Sequence, residues 1–388
     1  MYNLTKCALC GNEAELELSH TVPKMAVRTL KKTAIGNIRS TENPNKTIQD
    51  SEKLYMLCGD CEDLFGEKET WFANKIFHPY LKKEETIFDY DENLAYFITS
   101  VNWRSLYLDI LDFVENSVVG IDALECLIES EKIMNEFLRG KRNDLGKIEN
   151  HIFFFDDIKE LSVGASNFAD LKPHATFHRG IGSYTFCYED EKTYGTLTNM
   201  MGVILVTLYH KGQREVWNNT EILNGVGCIE AKDQQIQSVF GNELIHIMET
   251  AKKASEAMSV AQQKKAEDRI KAAVEDVKYS LERCAGILDG TPLIKALSVI
   301  KEVNIVDQST VDVVLKQPDT ELISYLTAAI IPAGYDEQAT APVGTGPFKF
   351  VSYTPQEGLV VEKNEDYYVE GIPYLDEVTF KICSDSDA

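Results

Sequence analysis

Two cysteine pairs constrain this chain more than any other feature of its sequence. Cys7 and Cys10 form a C-x-x-C in CALC, and Cys58 and Cys61 form a second in LCGDC. A two-residue spacer turns two thiolates toward one ion, and two such turns supply the four soft ligands of a tetrahedral zinc site. A redox dithiol would sit in a βαβ context, and no such pattern surrounds either pair. The pairing therefore points to structural Zn2+ on Cys7, Cys10, Cys58 and Cys61. A module this short buries little apolar surface, so the ion is expected to supply much of its folding free energy.

The elements around the cysteines follow from periodicity. Glu13 to Leu18 (EAELEL) alternates like a half-exposed strand that runs on to His20, and Pro23 ends it. Ala26, Val27 and Leu30 share one side of the helix expected after Pro23, and Asn43-Pro44-Asn45 marks a turn. A helix is expected over Glu62–Lys82, with Leu64, Phe65, Phe72 and Ile76 inward, stopping near Pro79. Asp91 is a good N-cap for a helix carrying Leu94, Phe97, Ile98, Val101 and Leu108, which Trp103 and Tyr107 widen. A third helix runs from Ile121 to Leu138 and stops at Gly140. HIFFF (151–155), TFCY (185–188) and VILVTLY (203–209) are rich in strand formers.

The character then changes. Asn242 to Cys284 contains neither proline nor glycine and reads as one continuous helix of about 40 residues. Seven of the eleven prolines follow Thr291, among alternating strands such as VNIV, TVDVVL, FKFVSY and EVTFKI. This change reads as a junction between two sequences of separate origin. The fold class is multidomain α+β: a small, loop-rich zinc-stabilised module at 1–85, a mixed α+β domain at 86–241, a helical linker at 242–271 and a strand-rich segment at 272–388.

Charge narrows the partners. The net charge of −23 argues against a protein that coats nucleic acid or anionic membrane. Between His20 and Lys53, however, seven basic residues face three acidic ones, and this stretch is the expected contact for DNA or RNA. From Leu293 onward six lysines face sixteen acidic residues. Cys126, Cys187, Cys228, Cys284 and Cys383 are scattered singly, as reduced thiols are. MYNLTKC carries no apolar signal core, and the apolar run Met200–Tyr209 is far short of a membrane span. A cytoplasmic location is expected.

The order CALC, LSHTVPK, NPNK and LCGDCEDLF, over roughly the first eighty residues, resembles the HNH-type nucleases. The resemblance implies a treble-clef zinc finger around a ββα catalytic unit. It implies that His20 is the general base, that Asn43 or Asn45 orients it, and that a second divalent ion such as Mg2+ sits beside it. An imidazole near its ordinary pKa suits that role. Two positions depart from the family pattern: Ser19 stands where a metal ligand is common, and Glu62 stands where His or Asn is common. Glu62 could bind Mg2+ through oxygen, so the candidate catalytic set is His20, Glu62 and Asn45.

A second resemblance covers about residues 272–388. VEDVKYSLER (274–283), TVDVVLKQP (310–318), PVGTGPFKFVSYTP (342–355) and EKNEDYYVEGIPYLDEVTFKI (362–382) are similar to family 5 extracytoplasmic solute-binding proteins. These are peptide- and nickel-binding receptors of ABC importers, which close two lobes on a ligand. A peptide ligand is the implied partner here, and the segment corresponds to part of one lobe. Other histidines read as structural. His174 and His178 lie four apart, but Pro173 and RGIGSY argue for a loop rather than a helix. His78 precedes Pro79 at an expected helix end, while Trp217 and Met200-Met201 read as core.

Overall fold

The computed structural model describes residues 5–34, 37–48, 50–162, 171–307, 310–335, 337–364, 367 and 373–381. Cys383 lies outside the described residues. The chain is a mixture of helices and antiparallel sheets that divides into two compact units. One comprises Met1–Lys31 and Ile38–Ala257, the other Lys32–Asn37 and Met258–Ala388.

In the first unit β1 (Thr5–Lys6) and β2 (Glu13–Ala14) pair across the first cysteine turn, and β3 (Leu16–His20) follows at once. α1 (Lys24–Lys32) starts after Pro23 and buries Ala26, Val27 and Leu30. β4 (Ile38–Arg39) and β5 (Thr47–Ile48) form a short hairpin across the Asn43–Asn45 turn. β6 (Lys53–Cys58) returns antiparallel to β3 and runs directly into α2 (Gly59–Phe72). The register sets Leu16 opposite Cys58 and His20 opposite Lys53.

The helix expected over Glu62–Lys82 runs from Gly59 to Leu81, ending two residues past Pro79, which it carries inside its last turn. Proline lacks an N–H, and its ring crowds the carbonyl four residues back. A π-helical turn over Ala73–Phe77 widens the path, so that the His78 amide reaches back five residues to the Ala73 carbonyl before α3 (His78–Leu81). Phe65, Phe72 and Ile76 are fully buried, but Leu64, expected inward, is 36% exposed.

β7 (Ile87–Tyr90) leads to Asp91, whose carboxylate accepts from the Asn93 amide at 2.9 Å and caps α4 (Glu92–Asn116). Nearly every residue of α4 from Leu94 to Leu106 is buried, because the helix is covered on several sides. α5 (Ile121–Leu138) and α2 lie on one side of it. β8 (Glu149–Phe154), β9 (Glu160–Leu161) and α6 (Pro173–His178) precede the meander β10 (Ile181–Tyr188), β11 (Thr193–Met200) and β12 (Val203–His210). β13 (Val216–Asn218), β14 (Glu221–Ile222), β15 (Gly227–Glu230), β16 (Gln235–Gln237) and α7 (Gly241–Glu256) complete the unit. The main sheet has the order β10-β11-β12-β8-β14, and all its pairings are antiparallel.

A polar network joins α4 to this sheet. Asn102 Nδ2 donates to Thr207 Oγ1 at 2.8 Å, and Thr207 donates on to Asn150 Oδ1 at 2.7 Å. Asn150 Nδ2 returns to Thr99 Oγ1 on α4 at 2.8 Å, so these buried amides are satisfied rather than orphaned.

Residues 1–85 and 86–241, expected as separate domains, share cores in this unit. Val22, Ala26, Leu30 and Phe72 pack in one cluster with Phe97, Phe154 and Leu205. Phe72 stacks on Phe97 at 4.0 Å between ring centroids. The N-terminal module thus gains from α4 apolar cover that it cannot supply itself.

The helix expected to run unbroken from Asn242 to Cys284 is two helices. α7 ends at Glu256, and Ser259 caps α8 (Val260–Cys284) by accepting from the Gln262 amide. A serine whose side chain captures a backbone amide favours a cap over a helix interior, which the absence of Pro and Gly concealed. In the second unit α8 packs on the hairpin of β17 (Ile300–Ile305) and β18 (Val311–Leu315). Leu281, Cys284, Leu297, Ile300 and Val303 form its small core. α9 (Leu322–Tyr325) precedes a sheet of β19 (Phe348–Thr354), β20 (Gly358–Lys363) and β21 (Glu377–Lys381). The turn Gly344–Pro347 feeds β19 as expected, and Asn364 closes it by donating to the Gly346 carbonyl at 2.8 Å. No helix among the described residues is long and apolar enough to cross a membrane.

Candidate functional site

The four paired cysteines converge. Their sulfurs all lie within 4.8 Å of one another, although the pairs are about fifty residues apart in sequence. The first pair sits on the turn between β1 and β2, where the Gly11 amide bonds to the Cys7 carbonyl at 2.9 Å. The second pair spans the end of β6 and the first turn of α2. Cys10 Sγ and Cys58 Sγ are 3.8 Å apart, far beyond a disulfide bond. Bonds of about 2.3 Å to a tetrahedral ion place sulfurs about 3.8 Å apart, so the spacing fits zinc.

The surroundings fit as well. Burial alone would raise the Cys7 thiol, but amides of Cys10, Cys58 and Leu9 directed at its sulfur bring it down to about 7. The Cys58 amide donates to that sulfur at 3.4 Å. Burial and the neighbouring sulfurs push the Cys61 thiol the other way. Asn135 of α5 donates to the Leu9 carbonyl at 3.1 Å and ties the first turn to the helical layer. Leu57, Phe65, Trp103 and Leu127 seal the cluster from beneath.

His20 lies at the other end of the β3–β6 pair. Four residues of strand, about 13 Å, separate the Leu16–Cys58 end from the His20–Lys53 end. Its Nε2 is 3.2 Å from Asp50 Oδ2, and Lys53 Nζ reaches the same oxygen at 2.8 Å. Burial would raise the Asp50 carboxyl, but Lys53 and then His20 outweigh it and hold it at about 2. Arg104, buried in α4, donates to the His20 carbonyl at 2.9 Å and to Glu69 Oε1 at 2.7 Å. A cleft of about 890 Å³ opens beside this corner, lined by Thr21, Ser51, Arg39, Lys172, Arg179 and Lys252, with Glu42, Glu52 and Glu256 interspersed.

The candidate set His20, Glu62 and Asn45 is not brought together. Glu62 sits in the first turn of α2, beside Cys61, and its Oε1 is buried with no hydrogen-bond partner among the described residues. The carboxylate that α2 carries to the His20 end is Glu69, seven residues or about 10 Å further along the helix, and Arg104 occupies it. Asn45 is exposed and donates to the Ala257 carbonyl at 3.2 Å. Asp50, not Asn45, is the partner of the His20 ring. Ser19 is buried on the opposite side of the strand, its hydroxyl without a partner among the described residues. Sequence reasoning passed over Asp50 and Arg104. The first counted only as one of three acids in a basic stretch, and the second was not singled out.

Comparison with known proteins bears on the other unit. Residues 271–388 match the model of the bacterial extracellular solute-binding proteins, family 5 middle. Over 119 residues the chain is 29% identical to the glutathione-binding protein GsiB of Salmonella typhimurium (strain LT2) and to that of Escherichia coli (strain K12). The match covers 29% of this chain and 23% of each relative, so the chain spans about a quarter of their length. A solved structure of AgaA, a PBP in complex with agropinic acid from A.tumefacien R10, is 34% identical over 30% of this chain and 25% of that one, at a TM-score of 0.25. The family 5 segment begins within α8 and contains the β17–β18 hairpin and the β19–β20–β21 sheet.

Proposed function

We propose that the two units carry two roles, of which the better supported is solute binding by residues 271–388. The observation that carries it is the match of this segment to the family 5 model, together with its 29% identity to glutathione-binding relatives. The solute class that fits is a glutathione-like short peptide. The β19–β21 sheet offers Val351, Tyr353 and Phe380, each about half exposed, as apolar contact surface. Titration calorimetry of the full chain against glutathione and di- and tripeptides tests this. Saturable binding at the millimolar level, worth about 4 kcal/mol, is expected. Absence of both binding heat and any thermal shift at saturating peptide overturns it.

A second reading belongs to the first unit and is favoured by the four convergent sulfurs. Cys7, Cys10, Cys58 and Cys61 would hold a structural Zn2+ at the base of an HNH-like, treble-clef strand–strand–helix module. His20, oriented by Asp50 at 3.2 Å, would accept a proton from water attacking a phosphodiester of DNA or RNA. The cleft beside it carries cations suited to phosphate. A Mg2+ ion would stabilise charge on the phosphate, with the Asp50 oxygen as a hard donor. His20→Ala should abolish metal-dependent nicking of plasmid DNA while zinc content stays unchanged. Undiminished nicking by that variant removes the mechanism.

A further inference from the structure

A second cluster of metal-binding side chains lies apart from the cysteines. Asp156, His174 and His178 each direct one ligating atom into a common space, all within 4.8 Å of one another. The histidines, expected on a loop, instead sit on the six-residue helix α6, which starts with Pro173 at its first position. Pro suits that position because its missing N–H has no partner there anyway. One turn of helix then brings residues 174 and 178 onto the same face.

Rigid neighbours hold the three groups. Phe177 is fully buried and packs on Phe155 at 4.3 Å between ring centroids. Asn199 of β11 donates to the carbonyls of Phe177 and Gly180, at 3.2 and 2.8 Å, fixing the end of α6. Asp156 follows β8, where the Phe155 amide bonds to the Gly202 carbonyl at 2.9 Å. His174 Nδ1 lies 2.5 Å from Asp156 Oδ1, and His178 Nε2 lies 2.5 Å from Asp156 Oδ2. The His178 nitrogen is closed off from solvent, yet its approach lacks the geometry of a hydrogen bond. A lone pair close to a carboxylate but off the hydrogen-bond line is what a shared cation, rather than a shared proton, would satisfy.

We propose that Asp156, His174 and His178 form a binding site for a divalent first-row transition ion of the zinc class. Two imidazole nitrogens and one carboxylate oxygen are borderline donors, which select zinc, iron, cobalt or nickel over magnesium and calcium. Ligands about 2.0–2.2 Å from a tetrahedral ion stand about 3.4 Å apart, so these groups open by nearly an ångström on loading. The His174 side chain, 73% exposed, can make that movement. The same exposure leaves coordination positions to water, so the ion is exchangeable and able to take a further ligand.

The full chain is saturated with Zn2+, freed of loose metal by gel filtration, and its zinc measured by mass spectrometry. The His174→Ala/His178→Ala double variant and Asp156→Asn should each lose about one equivalent relative to wild type, and His210→Ala, at an exposed position, none. Zinc should also raise the melting temperature of the wild type beyond that of the cysteine-loaded variants. Circular dichroism checks that each variant folds. Equal zinc content in folded wild type, double variant and Asp156→Asn overturns the site, leaving a hydrogen-bonded His-Asp-His cluster.

Discussion

The Arg104 guanidinium donates to the Glu69 carboxylate at 2.7 Å, and its other terminal nitrogen holds the main-chain carbonyl of His20 at 2.9 Å. The Arg104 side chain is 2% exposed and also lies over the Phe65 ring at 5.3 Å. One side chain on α4 thereby joins the strand that carries His20 to the helix that carries Cys61. Removing one partner of a buried pair costs more than the pair contributes, because the other charge is left uncompensated. Arg104→Ala is expected to destabilise the first unit by about 3–5 kcal/mol in urea unfolding. A loss below about 1 kcal/mol would mean that water replaces the guanidinium.

Metal removal should act locally. On the proposed zinc reading, chelation or Cys58→Ser releases the ion and exposes amides of residues 5–20 to hydrogen exchange. The amides of α4 should keep their protection, because Phe65, Phe72 and Phe97 pack without the ion's help. Global loss of protection on chelation would mean that the ion supplies most of the cohesion of the N-terminal module.

Asp109 gives the first unit a pH dependence opposite to ordinary acid denaturation. Burial pushes its carboxyl up to about 6, although the Thr185 amide, donating at 2.7 Å, pulls the other way. A raised folded pKa means that the folded state binds the extra proton. The stabilisation is therefore complete below about pH 4 and is lost as pH rises through about 6. Between those values the wild type should lose up to about 3 kcal/mol relative to Asp109→Asn. Parallel stability profiles of the two proteins over that range would contradict the assignment.

Asp50 behaves in the reverse sense. Its folded pKa of about 2 lies below the unfolded value, so its contribution is present above about pH 4 and disappears as pH falls through about 2. Carbon-detected NMR titration should find the carboxyl near 2 in the wild type. Lys53→Ala and His20→Ala should each raise it, since both side chains bond to the carboxylate and hold it down. An unshifted carboxyl in both variants would sink the interpretation.

The interior amides offer a check on packing. Asn102 accepts from Thr198 at 2.7 Å and donates to Thr207 at 2.8 Å. Asn102→Leu removes the bonds to Thr198 and Thr207 while Thr198 keeps Ser183 and Thr207 keeps Asn150, so the expected cost is about 1–3 kcal/mol in all. A thermal melt compared with the exposed control Asn116→Leu measures it, and equal melting temperatures would count against the network.

Much of this architecture is legible in the chain itself, because local chemistry dictates it. The C-x-x-C pairs, the Asp91 cap, Gly140 after α5 and the Val-Ile-Leu run of β12 act within a few residues of where they stand. β11 is harder to see: TYGTLTNM is polar and contains glycine, yet every residue is buried, because sheet neighbours and α4 satisfy its threonines. The interruption of the helix at Ser259 likewise depends on one side chain choosing an amide over solvent.

What the sequence alone determined is which residues can act: four cysteines spaced for one ion, a histidine ending a strand, and a C-terminal segment patterned like a solute-binding lobe. Tertiary structure decided which of them meet. Register sends His20 and Cys58 to opposite ends of one strand pair, so Glu62 stays with the cysteines and Asp50 becomes the histidine's partner. The same folding brings Asp156 to His174 and His178 across eighteen and twenty-two residues of chain. Side-chain pairing over such distances is set by strand register and helix packing, and neither leaves a local signature for spacing to reveal.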